Sequence, residues 1–143
     1  MNLITHIKKQ EQLNIISDDN DIVDLNKLKK IIKKNTNILK ALGINKQDTI
    51  AIILDNGVNF ITCFLSVINN CVSAPLNPNY SIGEFTFYYN DLKPKLIITN
   101  FGKSHPSVTV AKKKRIRVLN IENYLLNCAR KVKNTKNKLK KSR

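Results

Sequence analysis

The chain contains no tryptophan, only four glycines and few residues that could bind a metal. Its three cysteines, Cys63, Cys71 and Cys128, are odd in number and widely spaced, so a disulfide framework is not expected. No C-x-x-C pair occurs, and His6 and His105 are the only imidazoles, which argues against a zinc site. Cys63 falls in a helical pattern and Cys71 opens a strand, so we expect both to be small buried hydrophobic residues.

Long hydrophobic runs are also missing. No apolar stretch approaches the ~20 residues that a helix needs to cross a bilayer. Residues 1–10 hold only Leu3, Ile4 and Ile7 as aliphatic side chains beyond Met1, which is too short an apolar region for a secretory signal. With 143 residues and 42% hydrophobic content, the chain has the size and composition of one globular domain. We expect a soluble, cytoplasmic protein.

Positive charge is abundant but unevenly distributed, within a formal net charge of +15. Residues 1–111 hold 12 Lys or Arg against 9 Asp or Glu, whereas residues 112–143 hold 13 Lys or Arg against Glu122 alone. Such a polycationic segment binds polyanions non-specifically and with strong salt dependence. The charge therefore predicts non-specific polyanion binding through the tail and says little about the function of the body.

The first strong pattern is a helix that begins after Asp24. Apolar residues recur at steps of three and four from Leu25 to Leu42, as one face of a helix requires. Asp24 is suited to cap the start of this helix, and Gly43 to end it in the left-handed conformation. The opposite face carries a run of lysines that we interpret as a solvated surface, namely Lys29, Lys30, Lys33, Lys34 and Lys40.

Strands and helices alternate over the rest of the body. Continuous apolar runs predict strands at residues 50–54, 72–76 and 96–99, buried on both faces as in a parallel sheet. Helical patterns are predicted from Phe60 to Ile68, from a capping box at Ser81 and Glu84 to Pro94, and more weakly over residues 107–114. A further strand is predicted at residues 116–119. This alternation indicates an α/β fold, a partial doubly wound and mostly parallel sheet.

The segment from residue 42 to residue 100 carries motifs of a known enzyme family. Leu42-Gly43-Ile44 ends a helix as Leu-Gly-(Val/Ile) does there, and Gln47-Asp48 stands where Gly-Asp leads into a strand. The run SAPLNPNY of residues 73–80 contains the Pro-Leu-Asn-Pro strand exit, and EFTFYYNDL of residues 84–92 continues it. Together they resemble the N-terminal part of the AMP-forming acyl-CoA synthetases, the adenylating acid–CoA ligases. The resemblance is closest to the oxalyl-CoA synthetase and 4-coumarate–CoA ligase branch.

The resemblance implies an ATP-dependent reaction in two steps. A carboxylate attacks the α-phosphate of ATP to give an acyl-adenylate and pyrophosphate, with Mg²⁺ screening the phosphates, and the CoA thiol then displaces AMP. Family members bind the phosphates with a Ser/Thr/Gly-rich loop that ends in Lys. The glycines of this chain, Gly43, Gly57, Gly83 and Gly102, are never clustered. We therefore assign no catalytic, cofactor-binding or metal-binding residue, and expect ATP, Mg²⁺ and CoA only for the full-length family.

Several residues of the matching segment have a structural and a functional interpretation. Pro75 and Pro78 provide a rigid exit from a strand and Asn77 is expected to bond the local turn; the alternative is that they line a nucleotide or acyl site. Ser81 and Glu84 are interpreted as a helix cap. Asn70 stands where the family has Gly at a helix end and is expected to adopt the left-handed conformation.

The aromatic residues and His105 are weighed in the same way. Tyr80, Tyr88 and Tyr89 are interpreted as amphipathic packing residues, with platforms for base stacking as the alternative. His105 precedes Pro106 and is interpreted as a loop residue, because no partner serine, cysteine or carboxylate motif suggests a catalytic dyad.

The resemblance divides the chain into three parts and leaves two classes of function. Residues 1–23 form an irregular lead-in, residues 24–121 a partial N-terminal subdomain of the family, and residues 122–143 a basic tail that we expect to be disordered. We interpret the chain as a truncated N-terminal fragment of the ligase, inactive alone and dependent on a complementary C-terminal polypeptide or on self-association. The alternative is a non-enzymatic module whose basic tail binds nucleic acid or an anionic membrane. Full-length relatives are compatible with a peroxisomal location, although we see no targeting signal here.

Overall fold

Strands and helices alternate along the structure, a computed structural model that describes residues 14–16 and 22–121. The strands are β1 (Asn14–Ile16), β2 (Ile22–Asp24), β3 (Thr49–Ile53), β4 (Val72–Pro75), β5 (Leu96–Thr99) and β6 (Arg117–Asn120). The helices are α1 (Leu25–Ala41), α2 (Val58–Ile68), α3 (Ile82–Leu92) and α4 (Pro106–Lys113). The predicted α/β class with a parallel sheet is confirmed.

The sheet contains four parallel strands in the order β4-β3-β5-β6. In β3, Ile50 pairs with Ser73 of β4 on one side and with Leu96 of β5 on the other. The residues of β3 from Ile50 to Ile53 have no exposed surface. A continuous apolar run is possible here because helices cover both faces of the strand.

Alternate residues of β3 face two different layers of helices. Ile50 and Ile52 belong to one core cluster with Cys63 of α2 and Leu39 of α1. Ala51 and Ile53 belong to another, which contains residues of α3 and α4 and is centred on Phe85, Tyr89 and Val110. Successive side chains of a strand point to opposite faces, so the five-residue strand anchors both layers.

The chain reverses its direction across the sheet after the edge strand β4. It runs from β3 through α2 to the edge strand β4, then crosses through α3 to β5 and continues through α4 to β6. The helix α2 covers one face of the sheet and α3 and α4 cover the other. Right-handed crossovers that run in opposite directions place their helices on opposite faces. The connections that leave β3 and β5 therefore diverge between two adjacent strands, which creates a topological switch point at their carboxyl ends.

Two features of the sheet and lead-in differ from the predictions. The prediction that residues 72–76 are buried on both faces is wrong, because β4 is an edge strand and Val72 is 49% exposed. The irregular lead-in predicted for residues 1–23 did not anticipate β1, which pairs antiparallel with β2 through Ile15 and Val23. Strands of three residues are too short for a periodic signal. The predicted basic tail, residues 122–143, lies outside the described residues.

The predicted caps are confirmed at both ends of α1. Asp24 Oδ1 accepts a hydrogen bond from the Lys27 amide at 2.8 Å, and Gly43 has φ +76°. The predicted left-handed conformation of Asn70 is wrong, since it is absent from the positive-φ residues of the described chain. Its side chain instead donates to the Ser66 carbonyl at 2.8 Å and to Thr36 Oγ1 at 2.9 Å. The amide thus bonds the end of α2 and links it to α1.

The cysteines that the structure describes are packing residues. Cys63 is 1% exposed, as predicted, whereas Cys71 is only half-buried. Burial raises the pKa of the Cys71 thiol to about 11, so the thiol is protonated at neutral pH. Within residues 14–16 and 22–121, no helix has the length and apolar character to cross a membrane.

Candidate functional site

The carboxyl edge of the sheet is the natural location for a site, because open α/β sheets bind ligands outside the carboxyl ends of their strands. Three connections meet there: residues 54–57 after β3, residues 76–81 after β4, and residues 100–105 after β5. The switch point lies between the first and the third of these connections. The second connection contains Asn77, Tyr80 and Ser81 and the third contains His105, all of which have a structural and a functional interpretation in the sequence.

The connection after β4 is a rigid turn closed by Asn77. The Asn77 side-chain oxygen accepts from the Asn79 amide at 2.9 Å, and its carbonyl accepts from the Tyr80 amide at 3.2 Å. The Leu76 amide still donates to the Ile52 carbonyl of β3 at 2.9 Å, so the turn begins directly at the sheet. The predicted role of Asn77 in the local turn is confirmed. Pro75, the last residue of β4, provides the entrance to this turn.

The turn leads into a capping box at the start of α3. Ser81 Oγ accepts from the Glu84 amide at 3.2 Å, and Glu84 Oε2 accepts from the Ser81 amide at 2.7 Å. The backbone hydrogen bond from Ser81, and then its side-chain hydrogen bond, lower the pKa of Glu84 below its usual value. The carboxylate is therefore ionised at the positive end of the α3 dipole, and the cap predicted from the sequence is confirmed.

The three tyrosines contact protein groups. The Tyr80 and Tyr88 rings stack at 5.0 Å with an interplanar angle of 11°, and Tyr80 also meets Phe85 edge-on at 5.8 Å. A side-chain hydrogen bond with Tyr88, followed by desolvation, raises the pKa of Tyr80. Tyr89 is 2% exposed, and its hydroxyl donates to the Ser107 carbonyl at 3.2 Å. These contacts favour the packing interpretation over base stacking.

His105 has a serine partner, Ser107, so the prediction that it is a loop residue without such a partner is wrong. It is the N-cap of α4: its Nδ1 accepts from the Ser107 amide at 3.2 Å and lies 2.7 Å from Ser107 Oγ. With Nδ1 as acceptor, the ring proton is on Nε2. The ring stacks on Phe101 at 4.1 Å with an interplanar angle of 13°. Ser107 has no exposed surface, so this pair caps a helix and does not present a nucleophile to a substrate.

One group near the switch point has an unused hydrogen-bonding capacity. Asn100 follows β5 directly, and its side-chain Oδ1 is buried without a hydrogen-bond partner. The neighbouring Phe101 carbonyl accepts from Asn120 Nδ2 at 3.3 Å, which ties the end of β5 to the end of β6. In the part of the chain that the structure describes, no group of three His, Cys, Asp or Glu side chains could hold a metal ion. The edge thus offers hydrogen-bonding groups and aromatic rings without an activated nucleophile.

At the opposite, amino edge of the sheet, Asp48 joins the connection before β3 to the connection before β5. Asp48 Oδ2 accepts from the Asn45 amide at 2.6 Å and from Lys95 Nζ at 3.0 Å, and Lys95 also donates to the Gly43 carbonyl at 2.9 Å. The Asn45 hydrogen bond, and then Lys95, lower the pKa of Asp48. This cluster is a structural anchor, because Asp48 Oδ2 and Lys95 Nζ both bond groups of the chain itself.

Comparisons with known proteins point to one family. The sequence pattern of the family "AMP-binding enzyme" matches residues 6–142. The oxalate–CoA ligase of Saccharomyces cerevisiae is 53% identical over 61 residues, which are 42% of this chain and 11% of that protein. The oxalate–CoA ligase of Arabidopsis thaliana is 37% identical over 75 residues, 52% of this chain and 15% of that protein. The matched segments therefore span a small part of the length of these relatives.

Solved structures share the fold. ATP-bound MatB from Rhodopseudomonas palustris superposes with a TM-score of 0.74 at 22% identity, over 84% of this chain and 25% of that chain. The o-succinylbenzoate–CoA synthetase MenE of Bacillus subtilis, in complex with AMP, gives a TM-score of 0.73 at 17% identity, over 92% and 34% of the two chains. At these identities the similarity shows the fold alone. The reported matches give no support to the alternative of a non-enzymatic module.

Proposed function

Because this chain belongs to the AMP-binding enzyme family, we propose that it is the N-terminal part of an ATP-dependent, AMP-forming carboxylic acid–CoA ligase. The observation that carries the proposal is the identity with two oxalate–CoA ligases, 53% and 37% over the matched segments. The proposed reaction of the complete enzyme forms an acyl-adenylate from a carboxylate and ATP, releases pyrophosphate, and transfers the acyl group to the CoA thiol. The names of these relatives make oxalate, an organic acid, the first substrate to test.

In this proposal the described residues provide a scaffold for the complete enzyme. The β3–β5 switch point, with the rigid turn at Asn77 and the capped start of α4 at His105, holds the carboxyl edge of the sheet in a defined shape. Stabilising the charge that develops on a triphosphate requires preorganised donors, as a Gly-rich loop and a Lys provide. The 143 residues contain no clustered glycines. We therefore expect the chain alone not to adenylate carboxylates.

The direct test is carboxylate-dependent exchange of labelled pyrophosphate into ATP. The chain is assayed alone with oxalate and with a panel of aliphatic, aromatic and dicarboxylic acids, and the expected rate equals that of a blank without protein. Exchange above the blank with any acid contradicts the scaffold role. The coding region downstream is then sequenced, and a reading frame with the Gly-rich loop and its Lys is expressed together with this chain. Oxalate-dependent exchange by the combined polypeptides supports the ligase assignment. If the combined polypeptides catalyse no exchange with any acid of the panel, the assignment is contradicted.

We also propose that the chain associates with a complementary polypeptide or with itself. The observations that support this are the edge strand β4 and large apolar side chains that are exposed, among them Ile82 at 55% and Phe87 at 64%. An unpaired strand edge and exposed apolar surface favour association. Sedimentation velocity over a range of concentrations tests the proposal. A cooperative, concentration-independent monomer with an unfolding free energy in the middle of the usual ~5–15 kcal/mol contradicts it.

A further inference from the structure

The solvent-exposed side of α1 carries one kind of charge. The helix contains six lysines and no acidic residue: Lys27, Lys29, Lys30, Lys33, Lys34 and Lys40. Its apolar side is buried against α2 and β2, where Leu28 and Ile32 pack in one cluster with Leu65 and Val23. The lysines therefore lie on the side that the fold does not use.

No carboxylate in the described ranges neutralises these lysines. The salt bridge found there joins Lys95 to Asp48, neither of which belongs to α1. The nearest acidic residue along the chain, Asp24, uses its carboxylate to accept the backbone amide of Lys27. Among residues 14–16 and 22–121, these lysines therefore have no carboxylate as an ion-pair partner.

Several of these lysines are placed unfavourably for the helix itself. Lys27 lies in the first turn, where the helix dipole disfavours positive charge, whereas Lys40 in the last turn is placed favourably. Lys29 and Lys33 repel each other at a spacing of four residues, as do Lys30 and Lys34. An external anion relieves both penalties, so the arrangement is better explained by a ligand than by stability.

The same face contains a shallow groove of about 480 Å³. Lys30, Lys33 and Lys34 line it, together with Asn37, Ile38 and Ala41. Three lysines on one shallow surface suit a partner that presents several anionic groups.

We propose that the lysine face of α1 docks on the surface of an anionic phospholipid bilayer. A helix of 17 residues is about 25 Å long and presents its charges along one side, which matches a flat array of headgroups. The helix lies on the bilayer and does not enter it, because its apolar side is already buried in the fold.

Composition favours a bilayer over a nucleic acid. The helix contains no aromatic residue on which a base could stack and no arginine that could form bidentate contacts with a base or phosphate. Lysines act as point charges and suit headgroup phosphates and carboxylates without further geometry.

The test compares two full-length variants with the same loss of charge. One carries Lys30→Gln, Lys33→Gln and Lys34→Gln; the control carries Lys46→Gln, Lys93→Gln and Lys103→Gln, three exposed lysines outside the helices and strands. Residues 112–143, the polycationic segment, are unchanged in both variants. Glutamine has nearly the helix propensity of lysine, and circular dichroism checks that both variants are folded.

Co-sedimentation is measured with phosphatidylcholine vesicles that contain or lack phosphatidylserine. We expect the α1 variant to bind the anionic vesicles about 100-fold more weakly than the unchanged chain, and the control to stay within about 3-fold of it. Equal losses in the two variants overturn the proposal, because they assign the binding to charge alone. Stronger α1-dependent binding to duplex or single-stranded nucleic acid than to anionic vesicles also overturns it.

A second measurement uses the unchanged chain and so does not depend on the folding of a variant. Lysines are acylated with and without anionic vesicles and their modification is quantified by mass spectrometry. Protection of Lys30, Lys33 and Lys34 with continued modification of Lys93 and Lys103 is expected. Uniform protection, or none, contradicts docking through α1.

Discussion

A buried polar contact between α1 and α2 allows us to predict whether removing one of its side chains raises or lowers the free energy of unfolding. Asn35 and Ser66 are each 1% exposed, and Asn35 Nδ2 donates to Ser66 Oγ at 3.0 Å. Ser66 Oγ in turn donates to the Thr62 carbonyl at 2.6 Å. The other half of the Asn35 amide, Oδ1, is buried without a partner. Asn35→Ala therefore removes one hydrogen bond together with one unsatisfied acceptor, and Ser66 keeps its own acceptor.

We predict that Asn35→Ala raises the free energy of unfolding by about 1 kcal/mol. Removing a buried unsatisfied acceptor gains ~1–3 kcal/mol, and losing the hydrogen bond costs ~1 kcal/mol. Alanine is better than asparagine in a helix by roughly 0.6 kcal/mol. A remaining cavity of roughly 30 Å³ costs ~0.7 kcal/mol at about 24 cal/mol per Å³. The gain from removing the unsatisfied acceptor is the largest of these contributions, so the net change in the free energy of unfolding is positive.

The matched variant is Ser66→Ala, which leaves the whole Asn35 amide buried without a side-chain partner. It is expected to lower the free energy of unfolding by ~1–3 kcal/mol. Urea unfolding followed by circular dichroism at one protein concentration gives both values, and the double variant gives the coupling. If Asn35→Ala destabilises the protein as much as Ser66→Ala, the Oδ1 atom has a partner such as a bound water and the reasoning fails.

Three further perturbations test other parts of the fold. Tyr89→Phe removes the hydrogen bond from α3 to α4 and should lower the free energy of unfolding by ~1 kcal/mol in urea titrations. Because burial raises the pKa of Tyr89, the stability of the unchanged chain should also fall as pH rises above ~10, and that of the variant should fall less. The Asn45 amide and Lys95 lower the pKa of Asp48. The stability that the ionised carboxylate contributes should be complete above pH ~3.9, the pKa of Asp in the unfolded chain, and should be lost as pH falls through the folded pKa. Acid titrations of Asp48→Asn should lack this loss of stability. Val72→Lys places a charge on the exposed edge strand and should reduce the self-association that sedimentation velocity measures, and an unchanged association constant excludes the β4 edge as the contact.

Much of the fold could be predicted because its signals are local. The α1 period, the Asp24 cap, the Ser81–Glu84 capping box and the apolar β3 run each depend on residues a few positions apart. The family motifs in residues 42–100 likewise lie in one continuous segment. Such patterns determine whether a segment is helix or strand before any tertiary contact forms.

The predictions that failed depend on how whole elements begin and are arranged. An apolar run such as β4 has the same appearance at an edge as in the centre of a sheet, and only the strand order β4-β3-β5-β6 exposes Val72. His105 and Ser107 are close in sequence, yet a serine two residues away marks a histidine as a cap only when α4 begins there.

Sequence alone thus determined the alternation of elements, their caps, the one-sided charge of α1 and the family resemblance, because these follow from periodicity and neighbouring residues. Tertiary structure alone decided which strands lie at the edge, that Asn35 meets Ser66 across two helices, and that Asn100 keeps a buried acceptor at the switch point. Asn35 and Ser66 are 31 positions apart in sequence, and Lys95 and Gly43 are 52 positions apart. Such contacts depend on the order and packing of whole elements, which no local pattern encodes.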